Sequence, residues 1–320
     1  MGTTGTTGTT GSRVVVGVDA LATAAAALRW AAAEARRWGA PLHLVRAVPY
    51  PVTTDASTAW ALTGLLADLD AAAGAVLEEA AQLVRAQEPA VAVTTSVERG
   101  GPRQVLLRAA EDAALVVTGA RRHEERRWPV PGLRLGSTGL FLAAHAPCPA
   151  VVVTRDAPAG ARGVAVGFDG SPASAAALER AAAEAARLGE PLRAVHAVHL
   201  LLDPSLAVDA AACERLRDEE VRRAWRVLAD AVREVRTRHA VEVEQVVLRD
   251  AYASDALLDA AADARLLVVG SRGHGALLRA LLGSTSHAVL QRAQQPVLVV
   301  PDAARARGRR RAAGLTHAAG

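Results

Sequence analysis

Apolar and polar positions along this chain follow two periods in alternation, and the whole alternation runs through twice. Short β-branched and aliphatic runs, beginning with VVVG at 14–17 and VAVG at 164–167, give way to alanine-, leucine- and arginine-rich stretches. In those stretches apolar residues recur every three or four positions, the spacing of one helix face. Runs such as 115–118 and 266–269 contain almost nothing but Leu and Val. A strand that is apolar on both sides belongs in a parallel sheet covered by helices above and below. Each half therefore reads β-α-β-α-β-α-β-α-β, and the chain predicts an α/β protein of two tandem, doubly wound, parallel five-stranded sheets.

The halves are copies of one another. Residues 14–48 and 164–198 align without a gap at an offset of 150, with 20 of 35 positions identical. The shared text includes Gly17 and Asp19 against Gly167 and Asp169, AAAEA at 31–35 and 181–185, and Pro41-Leu42 against Pro191-Leu192. Farther along, GST at 136–138 matches GST at 283–285, and PAVVV at 149–153 matches PVLVV at 296–300. Ser171-Pro172 suits the start of a helix, with serine as the N-cap and proline in the first turn. Gly39 and Gly189 are placed to end the equivalent helices of the two copies. The resulting division is a disordered low-complexity segment at 1–12, a first domain at 13–155, a second at 163–301, and a basic disordered tail at 302–320. The linker is RDAPAGARG at 155–163, where proline, glycine and charge replace the apolar pattern.

Composition narrows the class. A length of 320 residues suits about two domains, and 51% hydrophobic content with only 3% aromatics implies cores packed by Ala, Val and Leu. No uncharged apolar window is long enough to span a membrane, and the start MGTTGTTGTTG has neither the basic nor the apolar region of a secretory signal. Two cysteines in separate halves make no disulfide framework, so a reducing cytoplasm is the expected location. All 37 basic residues are arginine, which excludes a Walker-type phosphate loop and lysine Schiff-base chemistry. The net charge of +4 is modest and partly sits in the run 305–311, so nucleic acid is an unfavoured partner.

The chemistry concentrates in GSRGHGALLRALLGST at 270–285, which follows the apolar run LLVV. Strand, glycine loop and helix in that order aim backbone N–H groups and a helix N-terminus at an anion, and the ligand so implied is a nucleotide. In a doubly wound sheet, ligands settle at the carboxyl ends of strands where chain order reverses. The first and fourth strands of the second copy end there, at Asp169 and Gly270.

Gly270, Gly273 and Gly283-Ser284 give the spacing G-x2-G-x9-G-S. Together with GFDGSPAS at 167–174, this resembles the ATP-binding class of universal stress proteins, and the resemblance covers both copies, about 14–154 and 163–301. It implies a cytoplasmic stress-response protein in which one domain binds ATP and the two domains pair as an internal pseudo-dimer. The resemblance places Asp169 at the adenosine end, backbone of Ala197 at the adenine, Gly270 and Gly273 beneath the phosphates, and Gly283, Ser284 and Thr285 closing the site. Arg272, His274 and Arg279 are candidate phosphate neighbours, with a solvated loop as the competing account. A magnesium ion bridging the phosphates is consistent with this, though no residue is marked as its ligand. The short apolar edge strands 150–154 and 297–301 are the pairing elements, and further self-association into a homodimer is left open.

The first copy departs from the pattern. Three residues after Gly119 stands Arg122 where the second copy has glycine, and Gly119 to Gly136 spans 17 residues against 13 from Gly270 to Gly283. The inserted stretch carries Trp128, Pro129 and Pro131, so its loop follows another path, and the first domain is expected to bind nucleotide poorly. The second copy in turn has Asp250-Ala251-Tyr252 where the first has Gly100-Gly101-Pro102.

Other constellations are weaker. His196 and His199 are three apart on or just past a strand, where alternation sends them to opposite faces, so packing or exposure is favoured over a shared metal. Cys148 and Cys213 read as small apolar fillers. The stretch 213–239 predicts a helix with a charged solvent face around Leu216, Val221, Leu228 and Val232, with some contact to the partner domain. Three function classes follow: a nucleotide-dependent regulatory module, a slow ATP hydrolase using His274 or Asp169, and a dimerisation scaffold that has lost its ligand.

Overall fold

The computed structural model describes residues 13–49, 56–119, 136–199, 209–273 and 282–302. The elements of the first half are β1 (Arg13–Gly17), α1 (Leu21–Trp38), β2 (Leu42–Val48), α2 (Ala56–Gln87), β3 (Val93–Arg99), α3 (Pro102–Ala109), β4 (Ala113–Gly119), α4 (Ser137–His145) and β5 (Ala150–Val153). The second half repeats them as β6 (Val164–Gly167), α5 (Pro172–Leu188), β7 (Leu192–Val198), α6 (Ala210–Arg238), β8 (Val243–Arg249), α7 (Ala253–Ala260), β9 (Leu266–Gly270), α8 (Ser284–Arg292) and β10 (Val297–Val300).

Each half has the doubly wound order 3-2-1-4-5, and the two halves join into a single ten-stranded sheet, β3-β2-β1-β4-β5-β10-β9-β6-β7-β8. Strand pairs within a half are parallel, as in β1 with β2 and β4 or β6 with β7 and β9. The seam is antiparallel, with Val297 opposite Val152, Leu298 opposite Val151 and Val299 opposite Ala150. Two separate sheets become one because β5 and β10 are buried apolar strands whose outer edges would otherwise hold unpaired N–H and C=O groups. The edges left after joining are β3 and β8, the strands with the most exposed positions.

Local signals account for the boundaries. Gly39 and Gly189 end α1 and α5 in the left-handed conformation, at φ 61° and 63°. The Ser171 hydroxyl accepts the Ser174 N–H at the start of α5, with Pro172 in the first turn. Across the linker, Asp156 receives Nε and Nη2 of Arg29 at 3.1 and 2.5 Å. Gly163 turns into β6 at φ 78°, and its N–H donates to Glu190 at 2.5 Å. Burial opposes ionisation of Glu190, but hydrogen bonds from Arg265 and Gly163 outweigh it and hold the carboxyl below its usual range.

One face of the sheet carries a core that runs across the seam. Leu28, Leu44 and Leu77 of the first half share a cluster with Leu178, Leu192, Leu228 and Leu298 of the second. The other face holds two clusters, one around α3 and α4 and one around α7 and α8. Cys148 is buried in the former, Cys213 lies half-exposed on α6, and the two are not joined in a disulfide.

Helix α6 corrects the sequence reading. Leu228 and Val232 are buried, as is Ala224, but Val221 is half-buried and Leu216 is 47% exposed. The helix has 29 residues, roughly 43 Å at the α-helical rise, whereas the seven residues of β7 span roughly 23 Å. Its first turns thus overhang the carboxyl edge of the sheet, where Arg249 bonds Glu214 and Asp218. Its main packing partners are β8, β7 and α5, all in its own half. Among the described residues no helix is long and apolar enough to cross a membrane.

Leu298 is fully buried at the seam, so Leu298→Ala should cost about 2–5 kcal/mol in denaturant unfolding. Because its core belongs to both halves, the transition should shift as one step rather than split in two.

Candidate functional site

The site is built where β6 and β9 lie side by side and their chains leave in opposite directions. Asp169 follows β6 and is held by the first turn of α5. Its Oδ1 accepts the Ser171 N–H at 2.9 Å, and its own N–H donates to the Ser174 hydroxyl oxygen at 3.3 Å. Between them Gly170 takes φ 83°, which lets the chain double back so tightly.

The glycines of the loop do different work. A Cβ on Gly270 would stand 2.9 Å from the backbone C and O of Ala173, so this glycine lets β9 lie directly against α5. Gly119 does the same in the first half, where the distance to the Thr23 carbonyl oxygen would be 2.4 Å. Gly273 is different, because a Cβ there would fall 2.3 Å from Oδ2 of Asp169. The bare backbone of the loop and the aspartate of β6 are thereby brought together.

Hydrogen bonds fix the neck of the loop. The Ser271 N–H donates to the Val300 carbonyl at 2.8 Å, its carbonyl accepts from the Gly283 N–H at 3.0 Å, and the Ser286 hydroxyl donates to the Gly270 carbonyl at 2.6 Å. Gly283 packs over Arg272, with 3.4 Å from its Cβ position to the Arg272 Cα. Helix α8 begins at once with Ser284 and Thr285, and no side chain caps it. Its first-turn N–H groups lack intrahelical acceptors, and the helix dipole adds a partial positive charge there. An anion is the natural complement.

Ala197 lies half-buried on β7, next to β6, opposite Leu248 of β8. Arg272 is half-buried at the neck, while His274 and Arg279 lie outside the described residues. His196 meets Phe168 edge-on at 6.1 Å between ring centroids, and His199 lies 4.2 Å from the Tyr252 ring, so the two histidines serve different neighbours. Ser174, Ser271 and Ser286 were not singled out by motif reading. Their signal was the difference between the copies, which place Ala24, Ala120 and Gly139 at the matching positions.

In the first half Asp19 is held locally, accepting from the Ala20 N–H at 2.7 Å and the Thr23 hydroxyl at 2.5 Å, and Arg46 reaches its carbonyl. Gly136 opens α4 as Gly283 opens α8, without a side-chain cap. The insertion with Arg122 lies outside the described residues.

The model of the universal stress protein family matches residues 11–154 and 161–301. The chain belongs to that family. It is 33% identical over 294 residues to a universal stress protein of Mycolicibacterium smegmatis, covering 90% of this chain and 96% of the relative. A universal stress protein of Mycobacterium tuberculosis is 31% identical over 309 residues, with the same coverage. The crystal structure of a universal stress protein from Archaeoglobus fulgidus has a TM-score of 0.66 at 19% identity, over 91% of this chain and 98% of that one, and so shares its fold. This universal stress protein is therefore the tandem form, with two family domains in one chain.

Replacing Gly270 by Ala should cost about 1–3 kcal/mol in urea unfolding, since the added methyl meets helix backbone that cannot swing aside.

Proposed function

We propose that the second domain binds ATP and that the protein acts as a cytoplasmic, nucleotide-dependent regulatory module of the stress response. The observation that carries this is the convergence of Gly273 on Asp169 beside the uncapped start of α8. Backbone without a side chain can approach a phosphate closely, and the helix start supplies unpaired donors and positive potential. Asp169 then takes the adenosine end, Ala197 offers backbone to the base, and Gly273, Gly283, Ser284 and Thr285 surround the phosphates, with Arg272 and His274 as phosphate neighbours. Regulation requires only that ATP bind one conformation or assembly better than another.

Magnesium is handled by the nucleotide itself on this reading. Among the described residues no group of three or more metal-ligating side chains occurs. The ion would be held chiefly by phosphate oxygens and water, the usual mode for magnesium at nucleotides. In the first domain, the longer loop and Arg122 in place of a glycine support weak or absent nucleotide binding.

Titration of ATP against the wild type and Gly273→Arg tests the reading. At 100 times its Kd, ATP should stabilise the wild type by about 2.7 kcal/mol in thermal unfolding, and the variant should lose that shift. An arginine side chain would enter the loop and displace Asp169 at once. Absence of any shift in the wild type would favour the scaffold, and steady phosphate release would favour the hydrolase.

A further inference from the structure

Repetition of the motif AAAEA puts glutamates at equivalent places, Glu34 on α1 and Glu184 on α5. The antiparallel seam relates the halves by an approximate two-fold axis, and a residue near such an axis meets its own counterpart. These two glutamates do so. Glu34 is 3% exposed, Glu184 is 2% exposed, and their carboxyl groups lie within hydrogen-bonding reach of each other.

Two buried like charges in contact are strongly unfavourable unless something neutralises them. The charged groups facing the pair are Arg37 on α1 and Arg180 and Arg187 on α5. They are shared unequally. Glu184 accepts Arg180 at 2.6 Å and Arg187 at 3.1 Å, whereas Glu34 has Arg37 alone. Trp38 of α1 lies under both α5 arginines, at 4.6 and 5.3 Å from its ring centroid, an attraction that reaches across the seam. Oε1 of Glu34 is buried with no hydrogen-bond donor when both carboxyls are ionised. A proton on one carboxyl supplies the missing donor.

We propose that Glu34 and Glu184 share a proton across the seam, and that this proton latches α1 to α5 so that the union of the two domains tightens as the medium acidifies. Glu184, already held by two arginines, is the acceptor, while Glu34 holds the proton and donates. Burial, followed by the charge and hydrogen bond of Glu184, pushes the Glu34 carboxyl up from 4.5 to about 7, and Arg37 pulls the other way. The sign follows from linkage. Between pH 4.5 and 7 the folded protein keeps a proton that the unfolded chain has released, so folding becomes less favourable as pH rises through that window. The latch belongs to neither phosphate loop, since it joins helices across the middle of the sheet.

Glu34→Gln tests this, because the amide donates the same hydrogen bond at every pH. Thermal and denaturant unfolding of the full chain should give similar stability for variant and wild type at pH 5. Between pH 5 and 8 the unfolding constant of the wild type should rise relative to the variant by on the order of a hundredfold. Parallel profiles would overturn the proposal. Carboxyl carbon NMR of the wild type with labelled glutamate gives an answer that does not depend on the variant folding. One resonance titrating near neutrality supports the shared proton, and every glutamate titrating in the ordinary acidic range overturns it.

Discussion

The backbone hydrogen bonds between β5 and β10 are the interaction on which the rest of this molecule depends. Each half alone would end in a short, buried, apolar strand with an open edge, an arrangement that invites uncontrolled association. Pairing the two edges removes both at once. It also places α1 and α5 on the same face of the sheet, one on each side of the seam, and merges the cores beneath them into one cluster. The duplication thereby becomes a single body whose halves are related as the subunits of a symmetric dimer would be.

Duplication also exposes what each conserved-looking residue is for, because the copies differ where one requirement has been relaxed. Gly119 and Gly270 both stand where a strand presses on helix backbone, and both copies need that approach to fold. Gly273 abuts a carboxylate instead of a helix, and the first copy has Arg122 at the matching position. A glycine required for packing and a glycine that keeps a loop bare look identical in a motif. Their neighbours in space tell them apart.

Charge is distributed on the same principle. Among the described residues, several arginines join exposed carboxylates, as Arg193 does with Glu244 and Asp263, and pairs of that kind contribute little individually. Near the seam the same residue types have different consequences, because Glu34 and Glu184 are removed from water and the symmetry forces like against like. The neighbouring arginines and one proton have to settle a balance that solvent settles elsewhere.

Much of this was legible in the chain itself. Hydrophobic period, the internal repeat and the glycine spacing determined the element order, the doubly wound class, the helix ends at Gly39 and Gly189, the N-cap at Ser171 and the family. These are local or self-similar signals, carried by residues whose effect is felt within a turn or two. Only tertiary structure decided that the two sheets are one, that Leu216 stands exposed where α6 outruns the sheet, that Ser286 ties the start of α8 to the end of β9, and that two glutamates 150 residues apart face each other. Each of those depends on which distant surfaces meet, and periodicity fixes which face of an element is buried without saying what it is buried against.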